Sequence, residues 1–471
     1  MKKICAFFLS LACVFLLLTS CSPQRGSEII GTPSSDEDTS GEETNNYSAI
    51  VRDLPAEDFN GAQFRIATDS SHLVFSSSSE SVVGKEYYLR NAAVEKKYNV
   101  KLSLTDESGL PTIADRIKTE SLAGTDYCDL VLLESNRFQS LVSADVLVNA
   151  RSVPYLEYRS ASFFEKSLEE TTLSDHTYGF CGDFTYEPEK TYCVFFNKSL
   201  LAQTALPDLY QLVRDDQWDM DNFLLYAEEV YSLCRANKMS VSGIVSPQTT
   251  EEIVNVFWAA TGLSYLQNDY GTRPALAYNN GSTQNFINTM RNILFRSTSY
   301  TSSANTALSS FRSGESFFMI APLSTAKEVK GFGVDWGIVP IPKLDINQAE
   351  TYSYMGNDHV IAGFAKGSAD LAMSGMVTTA LFEASKDVNQ TLKVQSYLNL
   401  YLNAPQDAEM MERVISNPYF DPAAFFGQSR SAFKASTQTL LYRAISSEGT
   451  FADLYKQYQK MFENDLNTNL G

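Results

Sequence analysis

The sequence lacks the motifs on which most enzyme and metal sites depend. Its 471 residues include only three histidines, His72, His176 and His359, and none belongs to an HExxH or His-x-His pattern. There is no GxSxG, no GxxxxGK[ST] and no GxGxxG after a strand-like segment. Seven cysteines show no CxxC spacing. We therefore predict a protein that is not an enzyme and that holds neither a metal nor a cofactor.

Positive charge and long apolar runs are also scarce. The chain has 37 lysines and arginines against 56 aspartates and glutamates, which gives a net charge of −19. Such an acidic chain is a poor candidate for binding nucleic acid or an anionic membrane surface. The apolar run from residue 4 to residue 18 is shorter than the about 20 residues that a membrane-spanning helix needs.

The first 20 residues have the composition of a signal peptide. Lys2 and Lys3 precede the apolar run. The segment Leu18-Thr19-Ser20, which ends in small residues, directly precedes Cys21. A cysteine directly after such a cut resembles the lipobox of bacterial lipoproteins. The resemblance implies that Cys21 carries lipid and anchors the protein on the extracytoplasmic face of the cell membrane. An ordinary signal peptide followed by an incidental cysteine is the alternative.

Residues 21–58 are rich in serine, threonine, glycine and acidic residues, which predicts a flexible linker. Removal of residues 1–20 leaves 471 − 20 = 451 residues, too many for one ordinary core, so we expect two lobes. An exported chain permits disulfides. A disulfide between Cys181 and Cys193 and free buried cysteines are both compatible with the sequence, and the disulfide state of Cys128 and Cys234 is likewise open.

Strand-like and helix-like segments alternate after residue 58, which predicts an α/β protein with largely parallel sheets. Asp219 is the predicted N-cap of a helix over 220–234. The other predicted segments are strands over 63–68, 100–104 and 129–133 and helices over 87–98, 113–123 and 138–144.

The order of several short segments resembles a known family. The segments are AAVEKKYNV (92–100), AGTDYCDLV (123–131), SNRF (135–138), YGF (178–180), VFFNK (194–198), DQWDMDNF (216–223), FRSGESFFMI (311–320) and WGIVPIP (336–342). They resemble, in order, segments of the sugar-binding, maltodextrin-binding-like solute-binding proteins of ABC importers. The chain has Ala321-Pro322-Leu323 where that family often has Gly-Pro-Trp, so the ligand need not be a maltodextrin.

The resemblance implies a periplasmic-binding-protein-like fold of two α/β lobes, with an interlobe cleft and three hinge crossings. Lobe one would hold residues 59–194 and 360–404, and lobe two residues 195–359 and 405–471. The implied function is capture of a sugar or oligosaccharide by a monomer that delivers it to ABC permease subunits. Two competing classes stay open: a glycosidase-like surface enzyme, because 56 acidic residues must include close carboxylate pairs, and a non-catalytic adhesin.

Polar and aromatic residues near strand ends and crossovers are the predicted ligand contacts, because carboxylates and amides bind sugar hydroxyls and rings cover the apolar sugar faces. Structural roles remain open for several of them: the alternative for Asp69 is a turn cap, and the alternative for Trp258 is core packing. The predicted ligand-binding residues are Asp69, Asn136, Arg137, Asp183, Tyr186, Glu252, Trp258, Tyr354 and Asn357.

Overall fold

The computed structural model describes residues 46–75, 81–105, 113–302, 305–393, 397, 399, 401, 402, 404–447 and 450–470. The predicted signal peptide and the lipidation site Cys21 lie outside the described residues. The strands are β1 (Ala62–Thr68), β2 (Val100–Leu104), β3 (Leu130–Glu134), β4 (Thr172–Leu173), β5 (His176–Thr177), β6 (Tyr192–Asn197), β7 (Ser242–Ser246), β8 (Leu266–Gln267), β9 (Ala275–Leu276), β10 (Tyr300–Ser302), β11 (Ser316–Pro322), β12 (Trp336–Val339) and β13 (Val360–Gly363).

Helices follow most strands and cover the sheets. They are α1 (Asn46–Arg52), α2 (Val82–Tyr98), α3 (Ile113–Leu122), α4 (Ser135–Ser143), α5 (Glu165–Glu170), α6 (Lys198–Leu201), α7 (Leu209–Arg214), α8 (Met220–Ala236), α9 (Thr250–Ala260), α10 (Gly281–Arg291), α11 (Ala307–Arg312), α12 (Ala326–Val329), α13 (Leu371–Thr391), α14 (Pro405–Ile415), α15 (Pro422–Gly427), α16 (Ser431–Lys434), α17 (Leu440–Ser446) and α18 (Phe451–Leu470).

The first sheet has the strand order β13-β3-β1-β2. β1 runs parallel to β2 and β3, and β13 pairs antiparallel with β3. β3 is buried on both faces: Leu130 and Leu132 belong to one apolar cluster, and Val131 and Leu133 to another. Successive strand side chains point to opposite faces, so the continuous apolar run that predicts a buried strand serves both clusters.

The second sheet has the strand order β10-β7-β11-β6-β12. β7 is parallel to β10 and β11, whereas β6 is antiparallel to both of its neighbours, β11 and β12. The expectation of largely parallel strands is therefore right for the first sheet and wrong for the second.

The predicted helices and strands agree closely with the structure. The strand over 100–104 is confirmed at both ends, and the Asp219 Oδ1 accepts a hydrogen bond of 2.9 Å from the Asn222 amide at the start of α8. The folded part begins earlier than the predicted linker end at residue 58. Tyr47 and Val51, one helical turn apart on α1, are buried against α2 and α13.

The chain passes between the two sheets more than once. It leaves the first sheet after β3, builds the second sheet from β6 to β12, and returns to the first with β13. α13 then packs on α2 beside the first sheet, and α14 packs on β12 of the second. The three hinges and the lobe limits stay predictions, and the limit at 194/195 falls within β6.

The four cysteines among the described residues, Cys128, Cys181, Cys193 and Cys234, are free and buried. Within the part of the chain that the structure describes, no helix has the length and apolar composition needed to span a membrane.

Candidate functional site

A cavity of about 780 Å³ lies where the ends of both sheets meet. Asn136 follows β3 of the first sheet, whereas Gln248 and Ser324 follow β7 and β11 of the second. The segments that enter β6 and β13 complete the wall. The lining residues are Asn136, Glu187, Glu189, Lys190, Tyr192, Gln248, Glu252, Pro322, Ser324, Met355, Gly356, Asn357, Asp358 and Gln428.

Three of the predicted ligand contacts, Asn136, Glu252 and Asn357, line this cavity together. Asn136 lies in the first turn of α4, and Glu252 lies in the first turn of α9, whose N-cap is Thr249. The Thr249 hydroxyl accepts a hydrogen bond of 3.2 Å from the Glu252 amide. Asn357 precedes β13. Residues distant in sequence thus meet because each follows or precedes a strand at one edge of its sheet.

Asp69 and Arg137 form an ion pair that fixes the loops after β1 and β3. The Asp69 carboxylate is fully buried and accepts a hydrogen bond of 2.6 Å from Arg137 Nη1. Its other oxygen accepts bonds from the Glu134 amide at 3.2 Å and from the Ser70 hydroxyl at 2.9 Å. These contacts favour the turn-capping role for Asp69, outside the cavity lining.

Asp183 and Tyr186 are also outside the cavity lining. The side-chain amide of Asn389 donates to Asp183 at 3.0 Å, and burial raises the pKa of Asp183 to about 6 despite that bond. The buried Tyr186 donates its hydroxyl proton to the Ile415 carbonyl at 2.8 Å. Their assignment as ligand contacts stays a prediction that these contacts do not favour.

Trp258 and Tyr354 are buried aromatic residues that pack against other rings. Trp258, which is 1% exposed, stacks on Tyr265 with ring centroids 4.6 Å apart. Six residues along α9 turn its side chain about 120° away from Glu252, so the helix presents them in different directions. Tyr354 packs beside the cavity residue Tyr192, with ring centroids 5.5 Å apart. Neither Trp258 nor Tyr354 is part of the cavity lining.

Several lining residues were not predicted from the sequence. Glu187, Glu189 and Lys190 precede β6, only a few residues after Tyr186, and Asp358 is adjacent to Asn357. The expectation that ligand contacts lie at the first crossover stays a prediction, and the cavity residues of that region lie a few positions further along the chain than Asp183 and Tyr186. Which side chains of this region reach the cavity depends on the short 3₁₀ helix Pro188–Lys190. This helix turns the chain, and the sequence pattern does not reveal it.

Charges on the cavity wall are partly paired. Lys190 Nζ lies 2.8 Å from Glu187 Oε2, and His72 Nε2 lies 2.9 Å from Glu187 Oε1. Burial alone would raise the pKa of Glu187, but the hydrogen bond from His72 and the charge of Lys190 lower it. Burial and the negative charge of Asp358 raise the pKa of Glu252. The wall thus combines Glu187, whose charge is compensated by His72 and Lys190, with Glu252, for which a hydrogen bond with Tyr192 offsets burial and repulsion only in part.

One group of buried side chains beneath the cavity has metal-ligand chemistry. Glu170, Cys181 and His359 bring one potential ligand atom each to within 4.8 Å of the others. Each already has a protein partner: His359 Nε2 lies 3.1 Å from Glu170 Oε2, and the Cys181 thiol donates to the Val360 carbonyl at 3.3 Å. Burial alone would lower the pKa of His359, but the charge of Glu170 raises it overall.

Comparison with protein families decides the class of the chain. The family model of bacterial extracellular solute-binding proteins matches residues 91–420, which include most of both sheets. The chain belongs to this family. Members of the family act outside the cytoplasm, and residues next to strand ends of both sheets line the cavity of this solute-binding protein.

Solved structures of similar fold include two sugar-binding proteins. One is the galacto-N-biose/lacto-N-biose I-binding protein of an ABC transporter from Bifidobacterium longum, in complex with lacto-N-biose: TM-score 0.55, 12% identity, 87% of this chain and 98% of that chain covered. The other is a cyclo/maltodextrin-binding protein with maltotetraose: TM-score 0.52, 15% identity, 87% and 98% covered. At such identities the likeness confirms the two-lobed periplasmic-binding-protein fold alone. A comparison with proteins of curated function gave no significant match.

Proposed function

We propose that the chain is an extracellular lipoprotein that captures a sugar or oligosaccharide and delivers it to the permease of an ABC transporter. The observation that supports this proposal best is the cavity of about 780 Å³, whose wall comes from the strand ends of both sheets. Its size is within the range of small-molecule sites, and polar side chains converge on it. Family membership and the sugar ligands of the two structural neighbours support the same class of function.

The proposed mechanism is closure of two lobes around the ligand. A solute that contacts Asn136 on one side and Glu252 on the other gains its full set of hydrogen bonds only when the two sides approach. Binding then shifts the population toward the closed form, and a permease can distinguish that form from the open one. This is binding without turnover, by a monomer.

A thermal-shift screen against a sugar library tests the ligand class. A sugar that binds only the folded state raises the melting temperature in proportion to the logarithm of its concentration over Kd. Asn357→Ala should reduce the shift, whereas Asn288→Ala, on the exposed face of α10, should preserve it. If no sugar raised the melting temperature, or if Asn357→Ala left the shift intact, this cavity would not be the sugar site.

Fractionation of cells tests the proposed lipid anchor. We expect Cys21→Ala to move the protein from the membrane to the soluble fraction, because a single cysteine carries the lipid. Cys13→Ala, within the proposed signal peptide, is the matched control and should leave the protein in the membrane fraction. A Cys21→Ala protein that is cut after residue 20 and still sediments with membranes would exclude the lipobox.

A further inference from the structure

We propose that the solute in this cavity is a sugar bearing protonated amino groups. The inference rests on the proposed function, because it names a ligand class for the same cavity. It starts from the balance of charges on the wall. Four carboxylates face the cavity, from Glu187, Glu189, Glu252 and Asp358, whereas Lys190 supplies the single basic side chain among the described lining residues.

The one lysine does not compensate all four carboxylates. Lys190 Nζ lies 2.8 Å from Glu187 Oε2, and its second partner is Asp358, with 2.9 Å to the carbonyl oxygen and 3.6 Å to Oδ2. Within the part of the chain that the structure describes, neither Glu189 nor Glu252 forms an ion pair with a lysine or arginine. Two carboxylates are therefore available to a cation from outside the protein.

Glu252 gains most from such a cation. It is half-buried at the start of α9, and the negative charge of Asp358, which also lines the cavity, acts on it, whereas a hydrogen bond with Tyr192 stabilises its charged form in part. Burial and this repulsion both disfavour its charged form. An ammonium group between the carboxylates of Glu252 and Asp358 would remove their mutual repulsion and replace the water that Glu252 loses by burial. A neutral solute would leave this repulsion in place, so the cavity favours a cationic solute.

The cavity wall has few aromatic rings, which also favours a charged solute over a neutral sugar. Neutral sugars are usually held by an aromatic side chain against their apolar face. Tyr192 is the one aromatic residue among the described lining residues, and its ring is 6% exposed and packed beside Tyr354. A wall that has carboxylates in place of stacking rings selects for charge and hydrogen-bond donors on the solute.

Calorimetric titration with four compounds tests the inference on the full-length folded protein. The compounds are the tetramer of glucosamine, the tetramer of N-acetylglucosamine, maltotetraose and spermidine. The first two share a backbone and differ in acetylation, which converts each cationic amino group into a neutral amide. We expect the glucosamine tetramer to bind about tenfold or more tightly than its acetylated counterpart, and the preference to shrink at high salt.

Two variants test whether the preference for the glucosamine tetramer arises at Glu252. Glu252→Gln should weaken binding of the glucosamine tetramer by about tenfold and leave the acetylated tetramer nearly unchanged. Glu251→Gln removes a charge from the same helical turn outside the cavity lining, so it should change neither affinity. Equal losses in both variants would mean that only the general negative potential attracts the ligand, and would overturn the assignment to this cavity.

The outcomes separate this inference from the proposed function. Equal or tighter binding of acetylated tetramer or maltotetraose overturns the amino-sugar inference and leaves the sugar-binding function standing. Binding of spermidine alone overturns both, because it shows a cation site without sugar recognition. Binding of none of the four compounds also overturns the inference.

Discussion

Two groups of acidic side chains, one beneath the cavity and one on its wall, are balanced in different ways. Beneath it, Glu170 is 1% exposed and contacts His359, which is itself nearly buried. On the wall, Glu189 and Glu252 are half-buried and have no basic partner among the described residues. A buried charge without compensation would cost several kcal/mol, and His359 is the partner that compensates Glu170. Carboxylates on the wall can remain without a basic partner, because water or a ligand forms hydrogen bonds with them.

The difference separates residues that stabilise the fold from residues that are available for binding. Glu170 is already paired within the protein, whereas Glu189 and Glu252 have no basic partner among the described residues. Substitutions in the interior should therefore change the free energy of unfolding, and substitutions on the wall should change affinity. α9 carries both kinds of residue, Trp258 in the interior and Glu252 on the wall.

The largest expected effect is that of Trp258→Ala. Trp258 stacks on Tyr265 and meets Phe286 edge-on, with ring centroids 5.2 Å apart, so its removal leaves a cavity among closely packed rings. We expect the free energy of unfolding in urea to fall by about 3–5 kcal/mol, and Trp258→Phe to lose less. Affinity per folded molecule should be unchanged. A large loss of affinity with normal stability would instead place Trp258 on the wall.

A smaller effect is expected from pH acting on two buried titratable groups near Glu170, namely Asp421 and His359. Burial, with a further contribution from the charge of Glu170, raises the pKa of Asp421 to about 7, and the pKa of His359 is also raised. Both groups bind more protons in the folded state than in the unfolded state. Their contribution to stability is therefore present at low pH and is lost as pH rises through the folded-state values.

We expect the free energy of unfolding to fall by roughly 1–3 kcal/mol between pH 5 and pH 8. Asp421→Asn should flatten this dependence, because asparagine keeps the helix N-cap that accepts the Ala423 amide and cannot titrate. Denaturant titrations at several pH values measure both quantities. If the free energy of unfolding rose over this pH range, or if Asp421→Asn left its pH dependence unchanged, Asp421 and His359 would not control that dependence.

The same comparison explains which parts of the molecule could be predicted from sequence. The buried strand β3 was predictable because its apolar run must be covered on both faces, and α8 because Asp219 is a strong N-cap. Asn136, Glu252 and Asn357 were predictable from their places beside strand ends. Glu187 and Glu189 were not, because their direction depends on a short turn and on contacts with distant residues such as His72.

The smallest expected effect, and the sharpest test of the comparison, is the stability of Glu252→Gln without ligand. Glu252 is in the first turn of α9, where a negative charge is favourable by a few tenths of a kcal/mol. Glu251 shares that turn and lies outside the cavity lining, so Glu251→Gln measures the loss of this helix interaction without the cavity.

Glu252→Gln additionally removes repulsion from Asp358 and the cost of burying a charge. The raised pKa of Glu252 means that its charged form is disfavoured in the folded state, a penalty that is absent well below pH 4.5 and grows as pH rises through the folded-state value. At pH 7 we expect Glu252→Gln to be as stable as the wild type within about 0.5 kcal/mol, and more stable than Glu251→Gln. The advantage of Glu252→Gln should shrink as the pH falls to about 4, because the penalty on the charged form of Glu252 is then largely absent. Denaturant unfolding at both pH values tests this. If Glu252→Gln were the less stable variant at pH 7, Glu252 would belong with the interior carboxylates, and its charge would serve the fold and not a ligand.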